Sequence, residues 1–241
     1  MGFDYLATGH YASIKESSDG PGLFRAKDGR KDQTYFLYGI PKEALPNILF
    51  PLAYLEKTEV RRIAENKNLP VKNKPESQDV CFIPDGDTAG FLKERIGSEP
   101  GDIVNPEGRV IGRHKGISSY TIGQRYGLGI SSSVPLYVIS IDAKNNIITA
   151  GERKFLRAKG LEAEIMSIFA AGLTERMTAK IRYNSKPSPC SAEISGGMFN
   201  VVFDDYIEAI TPGQSLVLYD GDRVLGGGII RSATNRLEPS P

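Results

Sequence analysis

The sequence predicts an α/β opening followed by two β-rich parts. Three observations carry that expectation. Apolar residues recur at helical spacing only before residue 99. At Glu99-Pro100-Gly101 the chain changes to short apolar runs separated by turns. Beyond Gly160, six further runs follow with glycine turns between them, the pattern of a small antiparallel barrel or sandwich. The parts therefore fall at residues 1–98, 99–159 and 160–241.

The chain opens on Phe3, Tyr5, Leu6 and Ala7, a short strand ending at Thr8-Gly9-His10. A strand without a preceding βα unit is a poor start for a parallel sheet. It predicts either a sheet completed by residues outside this sequence or an antiparallel meander. Gly9 stands where open α/β sheets bind ligands, beyond the carboxyl end of a strand, and also reads as a simple glycine turn. Residues 11–14 and 23–26 flank the polar turn of residues 17–22 and predict a hairpin. The charged run of residues 27–34 reads as a solvated loop or as cations laid against phosphates, and the aromatic run of residues 35–38 follows it.

Residues 41–70 predict a short and a longer helix. In the second, Leu55, Val60, Ile63 and Ala64 share one face at helical spacing, which predicts a core-facing stripe, with Glu59, Arg62 and Glu65 toward water. A third helix is expected near residues 89–95. Between them lies Ser77-Gln78-Asp79-Val80-Cys81-Phe82-Ile83-Pro84. Cys81 there has two readings. A partly open polar setting favours a reactive thiolate, whereas a free cysteine is more often a buried small hydrophobe.

In the middle part, residues 102–104, 110–112, 137–141 and 147–150 read as strands, with residues 142–146 as a turn between the last two. Its segment Tyr120 to Ile130 is rich in glycine, yet matches neither the dinucleotide nor the P-loop spacing. The final part has strands near residues 161–165, 178–183, 189–194, 199–203, 215–219 and 224–230. Cys190, alternating with polar Ser191, is expected to point inward as a structural thiol.

The totals narrow the function classes. The chain has 241 residues, 40% hydrophobic and 24% charged, ample for sizeable cores. Thirty basic against 29 acidic residues leave a net charge of +1, so no global field marks nucleic-acid or membrane binding, although a local basic patch is allowed. No apolar run approaches the ~20 residues of a membrane helix and no signal peptide is visible, so no membrane partner is expected and the default compartment is the cytoplasm. Two cysteines this far apart make neither a disulfide framework nor a metal quartet, and no metal site is expected.

Six pieces taken in order resemble the tRNA-specific 2-thiouridylase family: Ala7-Thr8-Gly9-His10-Tyr11, Lys31-Asp32-Gln33-Thr34-Tyr35-Phe36-Leu37, Ser77 to Ile83, Gly123-Gln124-Arg125, Pro212-Gly213-Gln214-Ser215 and Leu225-Gly226-Gly227-Gly228-Ile229-Ile230. The resemblance implies an incomplete ATP-pyrophosphatase-type α/β domain, a small central β-rich domain and a C-terminal antiparallel β-barrel. It implies an ATP-dependent sulfurtransferase that replaces the C2 oxygen of a wobble uridine with sulfur. It further implies that ATP, with Mg2+, converts that oxygen into a leaving group.

By similarity Cys81 carries the persulfide and Gly9 lies at the ATP site. His10 lies near tRNA, and Lys31, Asp32 and Gln33 form a loop touching it. Arg182, Tyr183 and Gln214 are implied as the barrel's tRNA contacts. Implied partners are the tRNA anticodon loop and a sulfur donor protein, such as a cysteine desulfurase or a sulfur relay protein. The family's Ser-Gly-Gly-Val-Asp-Ser type phosphate loop and second catalytic cysteine are not among these 241 residues. The chain is accordingly expected to be inactive in thiolation alone. The alternative expectation is a non-catalytic tRNA-binding module.

Overall fold

The computed structural model describes residues 2–70, 90, 91, 94, 95 and 99–236. The described chain forms two compact units. The first joins the described residues of Met1–Lys74 with Gly160–Asp205 and Pro212–Ser232. The second takes the described residues of Pro75–Lys159 with Tyr206–Thr211 and residues from Ala233 onward.

In the first unit, β1 (Leu6–Ala7) pairs in parallel with β4 (Ile48–Leu49). The opening strand is thus only two residues long and is part of no meander. Its surroundings are open, with Phe3, Tyr5, Leu6 and Leu49 all exposed. The expected hairpin forms as β2 (Ala12–Ser17) and β3 (Gly20–Arg25). Asp19 in its turn binds the Arg223 guanidinium at 2.8 Å.

The aromatic run is a short helix, α1 (Thr34–Leu37), too brief for any periodicity to announce it. A 3-10 turn, Lys42–Asn47, and α2 (Lys57–Asn66) follow. Helix α2 starts on a capping box: the Glu59 carboxylate accepts from the Glu56 backbone N–H at 2.7 Å, and Glu56 reciprocates. The core stripe expected along it is corrected here. No residue of α2 is buried: Ile63 is exposed, and Val60 and Ala64 are only half-buried.

Six strands make the barrel: β9 (Arg157–Ile168), β10 (Met177–Lys180), β11 (Ser188–Ser195), β12 (Met198–Glu208), β13 (Ser215–Asp220) and β14 (Arg223–Arg236). Around the ring the order is β13-β10-β11-β12-β9-β14, and β13 pairs with β14 to close it. Closure removes free sheet edges. Along β12, Phe199, Val201 and Phe203 are buried while Val202 and Asp204 are exposed, the period-two pattern of a filled barrel wall. The tight β11–β12 turn places Gly196 and Gly197 at φ 58° and 77°, which side-chain-bearing residues rarely adopt.

The hairpin extends the barrel sheet, since β3 pairs with β14 at Phe24 and Arg223. Between hairpin, α1 and barrel lies one core, including Leu23, Tyr35, Tyr38, Leu45, Phe169, Val217 and Tyr219. Gly227 makes that packing possible. A Cβ there would collide with Tyr38 Cδ2 and would sit 2.7 Å from the Leu216 carbonyl oxygen and 2.8 Å from Tyr38 Cγ.

The second unit holds a four-stranded sheet. Its strands are β5 (Gly101–Val104), β6 (Val110–His114), β7 (Tyr137–Asp142) and β8 (Ile147–Gly151), ordered β6-β5-β8-β7. The predicted turn forms because the Asp142 carboxylate accepts the Lys144 and Asn145 backbone N–H groups, each at 3.0 Å. Ile103, Leu128, Val138, Ile148 and Ala150 form its core. Buried His114 accepts the Gly116 N–H at Nδ1 and therefore donates from Nε2 to the Asn146 carbonyl. Of the expected third helix, Gly90, Phe91, Glu94 and Arg95 are helical. Cys81 and its stretch lie outside the described residues.

Candidate nucleic-acid interface

Within the first unit, motifs far apart in sequence meet in one band. It begins at the carboxyl end of β1. Gly9 is exposed, and a Cβ there would meet only Leu52 Cδ1 at 3.8 Å, so the backbone is open to close approach. Next to it the His10 Nδ1 lies 2.9 Å from the Thr8 hydroxyl. Tyr11 then locks onto Gln33 twice: the Tyr11 N–H donates to Gln33 Oε1 at 2.9 Å, and the Gln33 N–H donates to the Tyr11 carbonyl at 2.8 Å. This pairing holds the 31–33 loop beside His10.

Asp32 faces inward. It is buried, its carboxylate accepting the Ala26 N–H at 3.3 Å and the Thr34 hydroxyl at 2.8 Å. Since Thr34 has one proton and gives it to Asp32, the Tyr219 hydroxyl, 3.2 Å away, donates to Thr34. The Arg25 guanidinium covers the Tyr219 ring at 4.2 Å. Burial, only partly offset by the Thr34 bond, pushes the Tyr219 phenol up to about 12. Asp32 therefore fixes the shape of the loop, leaving Lys31 and Gln33 on its outer side, half-buried.

Helix α1 ties this loop to the barrel. The Tyr35 hydroxyl donates to the Ser215 carbonyl at 2.9 Å, and the Tyr38 hydroxyl lies 2.9 Å from Ser215 Oγ. Ser167 donates to the Tyr38 carbonyl. Phe36 remains 59% exposed, and its ring packs on Tyr183 with centroids 4.6 Å apart. Beside Tyr183, the Arg182 Nε donates to Gln214 Oε1 at 3.2 Å. All three expected barrel residues thus come together, and Phe36 joins them to the loop.

Lys180 is a member of this cluster that the sequence reading did not single out. Its Nζ lies over the Tyr35 ring at 5.7 Å and the Tyr183 ring at 5.5 Å. Burial, reinforced by the Arg25 charge, lowers its affinity for the proton, while Asp32 opposes that shift. The signal that could have found it is its place in the expected strand of residues 178–183, two positions before Arg182, although β10 ends at Lys180. Phe36 was inside a quoted motif, but only the contact with Tyr183 distinguishes it from its buried neighbours.

Cys190 is a free thiol buried in the barrel wall. Burial, with a smaller push from Asp204, raises it to about 12, which leaves almost no thiolate at neutral pH. Among the described residues no group of three His, Cys, Asp or Glu side chains could hold a metal ion. Nor is any described helix long and apolar enough to cross a membrane.

Three family models match in succession: a tRNA methyl transferase HUP domain over residues 1–85, a tRNA methyl transferase PRC-barrel domain over residues 89–152, and an aminomethyltransferase β-barrel domain over residues 158–230. Among curated relatives, the tRNA-specific 2-thiouridylase MnmA 1 of Syntrophus aciditrophicus is 47% identical over 97% of this chain and 63% of its own length. The tRNA-specific 2-thiouridylase MnmA of Pelobacter propionicus is 47% identical over 98% of this chain and 68% of its own. That of Thermus thermophilus is 44% identical over 96% and 62%. The chain thus spans about two thirds of the length of these relatives.

Proposed function

The chain belongs to the tRNA-specific 2-thiouridylase family, and from that premise we propose that it is the tRNA-binding and sulfur-carrying part of a tRNA-uridine 2-sulfurtransferase. One observation carries the reading. Loop residues Lys31 and Gln33, the β1 end at His10, and barrel residues Arg182, Tyr183 and Gln214 converge on one band of a single unit. Cations, amides and aromatic rings in that arrangement suit an RNA backbone and its unpaired bases.

The names of the family models speak of methyl transfer, whereas the relatives matching nearly the whole chain are 2-thiouridylases. We favour thiolation, since the relatives' identity extends continuously through all three matched regions. In this reading Cys81 holds the transferred sulfur as a persulfide, received from a sulfur donor protein. Carrying it covalently divides one hard displacement into two easier ones. Cys190, buried and protonated, has no part in transfer.

The residues present fit a nucleotide at Gly9, whose open backbone stands at the carboxyl end of a parallel strand pair. ATP, with Mg2+, supplies the activation that turns the uridine oxygen into a leaving group. His10, the 31–33 loop and the Arg182–Gln214 pair bind and orient the tRNA, with Asp32 acting through its neighbours. The domain organisation is that of residues 1–98, 99–159 and 160–241, and the compartment is the cytoplasm.

Thiolation assays on a protein carrying these residues together with a family phosphate loop test the assignment. Cys81→Ser is expected to abolish 2-thiouridine formation, and Cys190→Ser to leave it within about two-fold, as a buried, protonated thiol would. Equal losses overturn the role given to Cys81. The 241 residues alone, given tRNA, ATP and a persulfide donor, are expected to form none. The alternative, a non-catalytic tRNA-binding module, shares the band and is favoured if the protein carrying the phosphate loop forms no 2-thiouridine yet binds tRNA.

A further inference from the structure

Phe36 is the one ring of its segment turned outward. Tyr35 and Tyr38 on either side are buried, their hydroxyls engaged by Ser215. A lone exposed phenylalanine is ordinary, but this one is mounted. Its ring lies against Tyr183 at 4.6 Å with 37° between planes, and edge-on to Tyr35 at 5.6 Å. Both supporting rings also hold the Lys180 ammonium at 5.5 and 5.7 Å. Arg182, next in sequence to Tyr183, is oriented by Gln214.

The exposed side of this spot carries the cations Lys180 and Arg182. They stand beside the rings, and the nearby carboxylate, Asp32, is buried and engaged with Thr34 and Ala26. An occupant must therefore offer a flat apolar face together with negative charge. A nucleotide does both, and its base face is free only when unpaired.

We propose that Phe36, backed by Tyr183 and Tyr35, is a stacking platform for one unpaired RNA base, whose phosphates lie against Lys180 and Arg182. This rests on the tRNA-binding reading and adds to it a site for a base distinct from phosphate contact. The platform is stiff before binding, because Tyr35 is tethered to the barrel, so little side-chain freedom is lost when a base arrives. Stacking accepts any base and gives affinity without sequence choice.

The chain contains no tryptophan, so Phe36→Trp places a sole tryptophan, excited selectively over the tyrosines, at the platform. The probes are a short RNA hairpin with an unpaired loop and a fully paired RNA duplex of the same length. The hairpin is expected to quench the reporter and the duplex to leave it unchanged. Phe36→Leu should weaken hairpin binding by on the order of ten-fold with an unaltered salt slope, and Phe36→Tyr should restore it.

Hairpin binding that is equal for wild type and Phe36→Leu, with no quenching of the reporter, overturns the platform and leaves the tRNA reading standing. No hairpin binding by the wild-type chain overturns both. Melting curves of the variants identify any loss of folding, in which case quenching of the reporter decides alone.

Discussion

Two buried groups, Cys190 and Tyr219, keep their protons to about 12 because burial penalises their charged forms. Above pH 9 the unfolded chain releases these protons while the folded chain retains them. The unfolded state then binds fewer protons, so stability falls as pH rises toward 12. Urea unfolding should show a lower midpoint at pH 10 than at pH 8, with a smaller fall in Cys190→Ala. An identical fall in that variant would remove Cys190 as a contributor. In a Cys81→Ser background, where Cys190 is the sole thiol, a disulfide reagent at pH 8 should react on the order of 10²- to 10³-fold more slowly with folded than with unfolded chain. The inward setting of Cys190 was legible from its alternation with Ser191. That of Asp32 was not, since a charged residue between Lys31 and Gln33 looks solvated until Thr34 and the Ala26 N–H are seen to close around it.

Helix α2 depends on a residue far from it in sequence. The Asp28 carboxylate, 6% exposed, accepts the N–H of Lys57 at 3.0 Å and that of Arg30 at 3.2 Å, so it caps the helix from the preceding loop. The Lys57 bond holds its carboxyl below the ordinary value of 3.8, against the opposing effect of burial. The stability so gained is present above pH 3.8 and lost as pH falls below it. Asp28→Ala should lower unfolding free energy by about 1–2 kcal/mol near neutral pH. It should also flatten the acid limb of the stability profile, and an unchanged limb would refute the cap. Alternation made the strands of the barrel and the second unit's sheet readable, because one face of each is buried. Helical spacing misled for α2: Val60, Ile63 and Ala64 line up, yet the stripe meets no core among the described residues. Thr34–Leu37 escaped because four residues carry no period, and its position is set by phenol bonds to Ser215.

At the scale of the molecule, a net charge of +1 gives little long-range attraction for RNA, so the proposed RNA binding rests on the local band. Phosphate contacts there release counterions. If about six phosphates are engaged, affinity should drop by ~10³-fold or more between about 50 and 200 mM salt. A gel-shift series with tRNA measures this, and a flat response would argue against phosphate contacts. Motif order identified the family from the sequence, whereas the convergence of His10, Gln33, Phe36, Tyr183 and Gln214 became visible only with the closed barrel.

The seam between β3 and β14 also governs how the molecule is made. Phe24 waits for Arg223, roughly 200 residues later, which at about 5–20 residues/s is on the order of 10–40 s of translation. Throughout that interval the first hairpin has no neighbouring strand, and the barrel cannot shut until its last stave is synthesised. The nascent chain therefore carries that unpaired edge until Arg223 has been made, and the barrel can close only after that point.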